Sequence, residues 1–264
     1  MDLGLQDKVA LVAAASAGLG FAAARQLALE GAKVAICGRS RERLQAAVQK
    51  LQDETSTERI TGFVIDVRDR HQVSQFVEKT VSHFGQLDIV ITNAGGPPSG
   101  TFDSTDIESW QQAFHLTLMS VVHLVRAALP HLRQSDAASV LTITSISAKQ
   151  PIQGLLLSNV MRPAVIGLTK TLSQELAGDN IRVNSILPGW TRTERVTELL
   201  TYRAQQNNTS LEEEMAKITA GIPLKRMAEP EEFGRVAAFL VSPAASFITG
   251  TMLQVDGGSY AGLL

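Results

Sequence analysis

The stretch KVALVAAASAGLGFAAARQLALEGAKVAIC, residues 8–37, decides the fold that this sequence predicts. Its apolar run 8–13 is typical of a strand, and the Ala- and Leu-rich run 19–32 has the spacing of a helix that closes at Gly31. Residues 33–37 then return to an apolar, strand-like run. A strand, a helix and a second strand in this order predict a parallel βαβ unit, because the helix carries the chain back along the sheet.

The turn between the first strand and the helix, AAASAGLG (13–20), contains Gly18 and Gly20. Small residues there let a pyrophosphate approach the backbone, where N–H groups at the start of the helix can bind it. Tight packing of the turn is the alternative reason for two glycines. Ala14 stands where such turns often have a further glycine, so this turn must accommodate a methyl group. The residues of the turn that we assign to a nucleotide cofactor are Ala14, Ser16, Gly18, Leu19 and Gly20.

The second strand runs into ICGRS (36–40), which bears on the identity of the nucleotide. An acidic residue at this point hydrogen-bonds an adenosine ribose and repels a 2′-phosphate. Gly38 removes that carboxylate, and Arg39 offers a guanidinium to a phosphate. We therefore expect NADP(H) to be favoured over NAD(H). The alternative is that Arg39 is only the first charge of the helical run RSRERL.

Strand-like and helical runs continue to alternate through the rest of the chain. Further strands are predicted at 60–66, 87–95, 138–145, 181–189 and 250–258. The alternation predicts an α/β fold, a Rossmann-type doubly wound parallel sheet in three layers (α/β/α), with ligands at the carboxyl edge of the strands. No internal repeat or long linker divides the sequence, so residues 1–264 are interpreted as a single dinucleotide-binding domain.

The least core-like part of the second half is the polar stretch 193–217, which follows the end of a predicted strand. Because ligands bind at such strand ends, we interpret the region at about 190–225 as a substrate lid. A solvated helical insertion is the alternative interpretation of the same stretch.

The composition argues against several other classes of protein. The formal net charge is -2 and the basic residues are dispersed, so no nucleic-acid-binding surface is predicted. Five histidines without metal-ligand spacing and the single Cys37 predict neither a metal site nor an internal disulfide. The start MDLGLQDKVALV lacks the pattern of a signal peptide, and no uninterrupted run of about 18 apolar residues predicts a membrane span. We expect a soluble, cytoplasmic protein.

Motifs beyond the first turn extend the analysis to a known family. The motifs are DV (66–67), NAG (93–95), Ser145, RVNSILPGWTRT (182–193) and ITGTMLQVDGG (248–258). With the glycine turn, this ordered set resembles the short-chain dehydrogenase/reductase family over nearly the whole length of the chain. The resemblance is closest to the branch that contains bacterial 3-oxoacyl-[acyl-carrier-protein] reductases and related dehydrogenases.

The resemblance implies a set of cofactor contacts. It implies that Asp66 approaches the adenine, that Asn93 stabilises the central sheet beside the cofactor, and that Thr193 meets the nicotinamide carboxamide. The residues assigned to the cofactor in this way are Asp66, Val67, Asn93, Ala94, Gly95, Arg162, Pro188, Gly189 and Thr193.

The catalytic positions depart from the family pattern. Members of the family use a serine, a tyrosine 13 positions later, a lysine four after that, and an asparagine on the preceding long helix. At these positions this chain has Ser145, Ser158, Arg162 and Thr117. A serine hydroxyl is far less acidic than a phenol, whose pKa is about 10, and arginine keeps its charge without titrating usefully. We interpret Ser145, Ser158 and Arg162 as the catalytic set, or alternatively Ser158 as a small residue that leaves room.

Three other side chains are candidates for the general acid that the family's tyrosine would supply. Tyr202 lies in the suspected lid, Tyr260 lies near the end of the chain, and Lys149 follows Ser145 by four residues on a predicted strand-end loop. A subunit contact for Tyr260 and a surface position for Lys149 are the simpler interpretations, and none of the three is compelling.

Three functions remain open at this point. The first is an NADP(H)-dependent oxidoreductase that acts on a small carbonyl or alcohol, with Ser145 and ordered water replacing the usual proton path. The second is a catalytically silent, NADP-binding sensor or subunit, and the third is a different reaction on the same scaffold. The helical runs 110–132 and 163–176 are apolar beyond one core-facing stripe. With the pairing seen in the family, they predict a homotetramer or a homodimer.

Overall fold

The computed structural model describes residues 1–263, which form a seven-stranded parallel sheet in the order β3-β2-β1-β4-β5-β6-β7. The strands are β1 (Val9–Val12), β2 (Lys33–Gly38), β3 (Ile60–Val64), β4 (Ile89–Thr92), β5 (Ser139–Ile143), β6 (Arg182–Pro188) and β7 (Met252–Val255). Every neighbouring pair is parallel. The predicted Rossmann-type, doubly wound architecture is confirmed.

Helices cover both faces of this sheet. They are α1 (Gly18–Leu29), α2 (Arg41–Thr55), α3 (Arg70–Phe84), α4 (Ile107–Ala113), α5 (Ser120–Leu132), α6 (Leu156–Glu175), α7 (Glu194–Asn207), α8 (Leu211–Gly221) and α9 (Pro230–Val241). Helices α1, α2 and α9 contribute to the core on one face, and α3, α5 and α6 to the core on the other. The strands are wholly buried runs at β1, β4 and β5 because apolar helices cover them on both sides.

The direction of the strand order reverses at β1, which lies between β2 and β4. The connections after β1 and β4 therefore leave the sheet in opposite directions, which opens a crevice at the carboxyl edge between them. At the crossing of α1 and α9, a Cβ on Gly234 would lie 2.5 Å from the Ala22 carbonyl oxygen. Glycine at this crossing lets α9 pack closely against α1, beside it on the same face of the sheet.

The long helix after β4 is continuous from Ile107 to Leu132, but its middle segment, Phe114–Met119, is a π-helix. The hydroxyl of Thr117, in this segment, is buried without a hydrogen-bond partner. At 26 residues and a mean hydropathy of 1.3, this is the one helix within residues 1–263 that is long and apolar enough to cross a membrane. Its inner face, including Leu124 and Ala128, packs in the core beside the sheet.

The region at about 190–225 is helical, formed mainly by α7 and α8, with a small apolar cluster that includes Leu200, Ile222 and Met227. The turn between the helices is fixed by Glu214, which accepts hydrogen bonds from Lys217, Thr209 and Asn207. These three hydrogen bonds, of which that from the Lys217 ammonium has the largest effect, lower the pKa of the Glu214 carboxyl to about 2. The stretch is thus a helical insertion with its own contacts, and its function as a lid stays a prediction.

At the amino edge of the sheet, the side chain of Arg182 hydrogen-bonds the C-terminal end of α9. Its guanidinium donates hydrogen bonds to the carbonyl oxygens of Leu240 at 2.7 Å, Val241 at 2.9 Å and Ser242 at 2.9 Å. The last carbonyls of a helix have no partner within it, so Arg182 stabilises an end of α9 that would otherwise depend on water. The Ser242 carbonyl, just beyond the helix, also accepts from the Ala245 N–H.

Candidate active site

A cleft of about 340 Å³ lies at the carboxyl edge of the sheet and extends to the first turn of α7. It brings together most of the residues that the sequence assigns to a site. Those that line it are Ala14, Gly18, Leu19, Asn93, Ala94, Gly95, Ser145, Ser158, Arg162, Pro188, Gly189 and Thr193. The remaining walls are largely apolar and include Ile146, Ile152, Leu155, Trp190 and Leu199.

The turn after β1 accommodates Ala14 in a left-handed conformation, with φ of +46°. Two hydrogen bonds hold it there: the Ala14 N–H donates to the Cys37 Sγ at 3.3 Å, and the Asn93 Nδ2 donates to the Ala14 carbonyl at 3.0 Å. Burial raises the pKa of the Cys37 thiol to about 12, so this sulfur is a neutral acceptor at physiological pH. The prediction that the turn must tolerate a methyl group is therefore met by hydrogen bonding of its backbone on both sides.

The start of α1 has the features that a pyrophosphate requires. Gly18 has φ of +61°, and a Cβ on Gly20 would lie 2.7 Å from the Asn93 Nδ2. The residue before the helix, Ala17, makes no side-chain capping hydrogen bond, so the first-turn N–H groups are not capped by that side chain. Unpaired donors at the positive end of a helix bind phosphate groups. The residues present fit a dinucleotide cofactor.

The other assigned cofactor residues do not line the cleft itself. Ser16 and Gly20 lie in the turn after β1 and the start of α1, and Arg39, Asp66 and Val67 follow the carboxyl ends of β2 and β3. A Cβ on Gly38 would lie 3.1 Å from the Ser16 Oγ, which shows how closely the turn approaches β2. Arg39 is exposed, as an arginine that meets a phosphate must be before the ligand binds.

Asp66 has a partner that the sequence reasoning missed. The Arg68 Nε donates to an Asp66 carboxylate oxygen at 3.0 Å. This hydrogen bond is the first cause that holds the pKa of Asp66 below its usual range, and the charge of Arg39 adds a smaller effect. Two exposed guanidinium groups therefore share the neighbourhood of one carboxylate, which leaves this region positive.

At the reacting end of the cleft, the Ser145 Oγ accepts a hydrogen bond from the Ser147 N–H at 3.1 Å. Because a hydroxyl has one proton and two lone pairs, this contact leaves the Ser145 proton available to donate into the cleft. Ser145 lies two residues after the end of β5, so the sheet sets its position. The geometry suits a hydrogen-bond donor to a substrate oxygen.

Ser158 and Arg162 also line the cleft, but they are bound to each other. The Arg162 Nε donates to the Ser158 Oγ at 2.9 Å, and a second guanidinium nitrogen donates to the Thr144 carbonyl at 2.6 Å. The Ser158 Oγ is in addition 3.0 Å from the Ser147 Oγ. Burial first, and then the charge of Arg195, lower the pKa of Arg162 to about 10, so it remains a cation at neutral pH.

The candidate acids outside this set are not at the cleft. The Lys149 Nζ lies 5.3 Å from the centroid of the Tyr260 ring, so it is directed toward the end of the chain and does not line the cleft. The side chain of Tyr202 lies on α7 and does not line the cleft; the residue is 53% exposed. Within residues 1–263, no cluster of three or more His, Cys, Asp or Glu could hold a metal ion.

Comparison with known proteins places these features in context. The enoyl-(acyl carrier protein) reductase family matches residues 13–260. Dehydrogenase/reductase SDR family member 4 from Oryctolagus cuniculus is 34% identical to this chain over 256 residues, which is 97% of this chain and 94% of the relative.

Two solved structures are similar over nearly the whole chain. L-Sorbose reductase from Gluconobacter frateurii, complexed with NADPH and L-sorbose, has a TM-score of 0.94 at 32% identity and covers 100% of both chains. An NADPH-bound short chain oxidoreductase from Pseudomonas aeruginosa PAO1, described as containing an atypical catalytic center, has a TM-score of 0.88 at 32% identity, with 97% of this chain and 99% of that chain covered.

Proposed function

This chain belongs to the short-chain dehydrogenase/reductase family, and we propose that it is an NADP(H)-dependent oxidoreductase that acts on a carbonyl or alcohol substrate. The observation that carries the proposal is the Ser145 hydroxyl, which lies in the same cleft as the glycine turn and the Pro188–Gly189 segment. A hydrogen-bond donor at that position meets the oxygen of a substrate carbonyl. The NADPH in the two structural relatives supports this choice of cofactor.

The residues proposed to hold the cofactor fall into two groups. The first turn of α1, with Gly18 and Gly20, binds the diphosphate through backbone N–H groups, and Arg39 meets the 2′-phosphate of NADP(H). Pro188, Gly189 and Thr193 border the nicotinamide. Hydride transfer is the chemistry that the nicotinamide supplies when it is bound.

The protein's own contribution is proposed to be polarisation of the substrate oxygen. Ser145 donates a hydrogen bond to that oxygen and stabilises the negative charge that develops on it in reduction. The Arg162 cation adds a positive potential from the floor of the cleft, and Ser158 positions its guanidinium. Solvent delivers the proton, since an aliphatic hydroxyl is a far weaker acid than the phenol used elsewhere in the family.

A specific observation favours a second candidate, a cofactor-binding protein without turnover. The Ser158 hydroxyl is already hydrogen-bonded to Arg162 and lies 3.0 Å from the Ser147 hydroxyl. It therefore does not supply the acidic proton that a tyrosine would supply. Such a protein would bind NADP(H) in the same cleft and serve as a sensor or a subunit.

Transfer of deuterium from NADPH labelled at C4 separates the two candidates. The purified protein is incubated with ketones, aldehydes, sugars and 3-oxoacyl thioesters, and the products are examined by mass spectrometry. Label in any product establishes the oxidoreductase. Tight NADPH binding by calorimetry with no label in any product overturns it and supports the binding function. The thioesters test whether activity extends to the acyl-carrier-protein substrates of the resembled branch.

We further infer that the protein assembles as a homotetramer, or as a homodimer, in the cytoplasm. The support is the exposed apolar surface of the two long helices, where Phe114 is 39% and Val160 is 46% exposed. Large side chains exposed on neighbouring helices are typical of subunit contacts. Light scattering at micromolar concentration tests the assembly, and only a 28.4 kDa species would overturn it.

A further inference from the structure

Arg195, in the first turn of α7, extends across the cleft to the segment after β4. Its guanidinium donates to the Pro97 carbonyl at 3.1 Å. It also lies flat against Gly96, where an added Cβ would be 3.5 Å from the Nε. The side chain therefore closes one side of the cleft, although no sequence motif assigns it a function.

Two cations, Arg162 and Arg195, line the cleft, and among residues 1–263 neither has a buried carboxylate within 4.0 Å. Within residues 1–263, no carboxylate lies within 4.0 Å of the Arg162 guanidinium. The nearest acidic partner of Arg195 is Glu198, at 3.7 Å, and its side chain is 68% exposed. Glu194, the other acidic residue that lines the cleft, is also exposed to solvent. Water screens both exposed carboxylates and also Arg195, whose side chain is 49% exposed, so the more buried Arg162 contributes most to the positive potential inside the cleft.

Electrostatic contact between the two arginines is direct enough for the charge of Arg195 to lower the pKa of Arg162. Two like charges that line one cleft repel each other, and an anion that contacts both relieves the repulsion. The uncommitted N–H groups of Arg162 and Arg195 are suitable donors, because guanidinium groups bind carboxylate and phosphate oxygens with charge-assisted hydrogen bonds.

We propose that Arg195 and Arg162 together bind an oxyanion in the cleft, and that this oxyanion is a carboxylate carried by the substrate. The cofactor diphosphate is also an oxyanion, but the first turn of α1 already offers it a binding site. Arg162 instead lies beside Ser145, at the reacting end. The apolar walls at Ile152 and Leu155 then suit the chain of an aliphatic oxo acid or hydroxy acid. This substrate class rests on the function proposed above.

Binding of a matched pair of ligands to the NADP⁺-loaded protein tests the proposal. Acetoacetate and acetoacetamide have the same carbonyl and nearly the same size, but only the first is an anion. Both compounds are already ketones, so NADP⁺ cannot oxidise them and no turnover disturbs the binding equilibrium. Calorimetry gives their dissociation constants for the wild type, Arg195→Met, Arg195→Lys and the control Arg203→Met. Arg203 lies on the same helix, donates to the Gln153 carbonyl at 3.2 Å and packs 5.4 Å from the centroid of the Trp190 ring, but does not itself line the cleft.

A charge-assisted hydrogen bond is worth about 1.5–3 kcal/mol, so the wild type should bind the acid at least about tenfold more tightly than the amide. The preference should fall to about twofold or less in Arg195→Met, recover in part in Arg195→Lys, and persist in Arg203→Met. NADP⁺ affinity should remain the same in all four proteins.

A wild type that does not prefer the acid, including one that binds neither compound, overturns the proposal. Loss of NADP⁺ affinity in Arg195→Met with an unchanged preference for the acid assigns the oxyanion to the cofactor diphosphate and overturns the substrate carboxylate. The readout is equilibrium binding. A protein that fails to transfer hydride but shows the acid preference therefore contradicts the proposed function alone.

Discussion

The Nε of Arg162 donates a hydrogen bond of 2.9 Å to the Oγ of Ser158, one turn away on the same helix. We predict, from the resemblance, that the pair stands where members of the family have tyrosine and lysine. Because Ser158 is also 3.0 Å from the Ser147 Oγ, its hydroxyl is engaged by protein groups on two sides. The pair fixes the orientation of a cation and does not present an acid to a substrate.

Restoring the family pair should restore proton donation. We expect Ser158→Tyr with Arg162→Lys to raise turnover of a ketone by about 10²- to 10⁴-fold, the usual value of general acid assistance. Ser158→Tyr alone should gain less, since Arg162 keeps its bond to the Thr144 carbonyl. Steady-state oxidation of NADPH measures the effect. Inactivity of the wild type and the double variant alike, with NADPH binding intact, would count against the oxidoreductase.

Ser145 is expected to be the side chain on which any wild-type activity depends. Ser145→Ala removes the donor to the substrate oxygen and should lower kcat by about 10²- to 10³-fold, as loss of one preorganised donor does. NADPH affinity should be unchanged. Tyr202→Phe is the control, because Tyr202 is 53% exposed and does not line the cleft. Equal activity in Ser145→Ala and the wild type would remove Ser145 from the mechanism.

Arg39 is expected to set the preference between the two cofactors. Calorimetric titration should show tighter binding of NADP(H) than of NAD(H) by the wild type. Arg39→Asp should reverse the order, because a carboxylate repels the 2′-phosphate and can accept from the free ribose hydroxyl. Each change should be about tenfold or more. Equal affinities in the wild type would overturn the prediction, and an NADP(H) preference that persists in Arg39→Asp would show that the nearby Arg68 or the backbone sets it.

Replacing Ala14 by glycine, the residue that such turns usually have, should stabilise the protein. A left-handed conformation costs a non-glycine residue about 1–2 kcal/mol, and the added flexibility of glycine in the unfolded chain offsets part of this. With φ of +46° at this position, Ala14→Gly should raise the free energy of unfolding by about 0.5–1 kcal/mol in urea titrations. Ala13→Gly, at the adjacent buried residue, should lower it.

The Cys37 thiol should resist modification as long as the protein is folded. Burial raises its pKa to about 12, so about one thiol in 10⁵ is ionised at pH 7. Iodoacetamide should therefore label the urea-unfolded chain far faster than the native protein. Between the ordinary thiol pKa of 9.0 and about 12, only the unfolded chain loses this proton, so the free energy of unfolding falls as pH rises through that interval. Fast native labelling would show that the site opens readily.

The order of strands and helices could be predicted from the sequence because each is encoded by a local pattern. The boundaries were less accurate, for a physical reason visible in two strands. The predicted strand 87–95 ends at Thr92, since Asn93 to Gly95 leave the sheet to line the cleft. The predicted strand 250–258 ends at Val255, because Gly257 and Gly258 adopt positive φ and turn the chain.

The cleft could be predicted only where a motif repeats the pattern of a family. Ser145 and the glycine turn were found in this way. Arg195 was missed, because its contact with Pro97 joins residues 98 positions apart and has no signature at either end. The mutual engagement of Ser158 and Ser147 was missed for the same reason. The π-helical turn that buries the Thr117 hydroxyl likewise depends on packing around the helix and not on residue spacing.

The three hydrogen bonds from Arg182 to the end of α9 have a mechanical consequence. They brace the amino edge of the sheet, whereas α7 is held over the carboxyl edge through Arg195 and Arg203 by one carbonyl each. Since local opening follows the weakest set of contacts, we predict that local opening of the fold starts around α7, at the carboxyl edge of the sheet, and not at the amino edge that Arg182 holds.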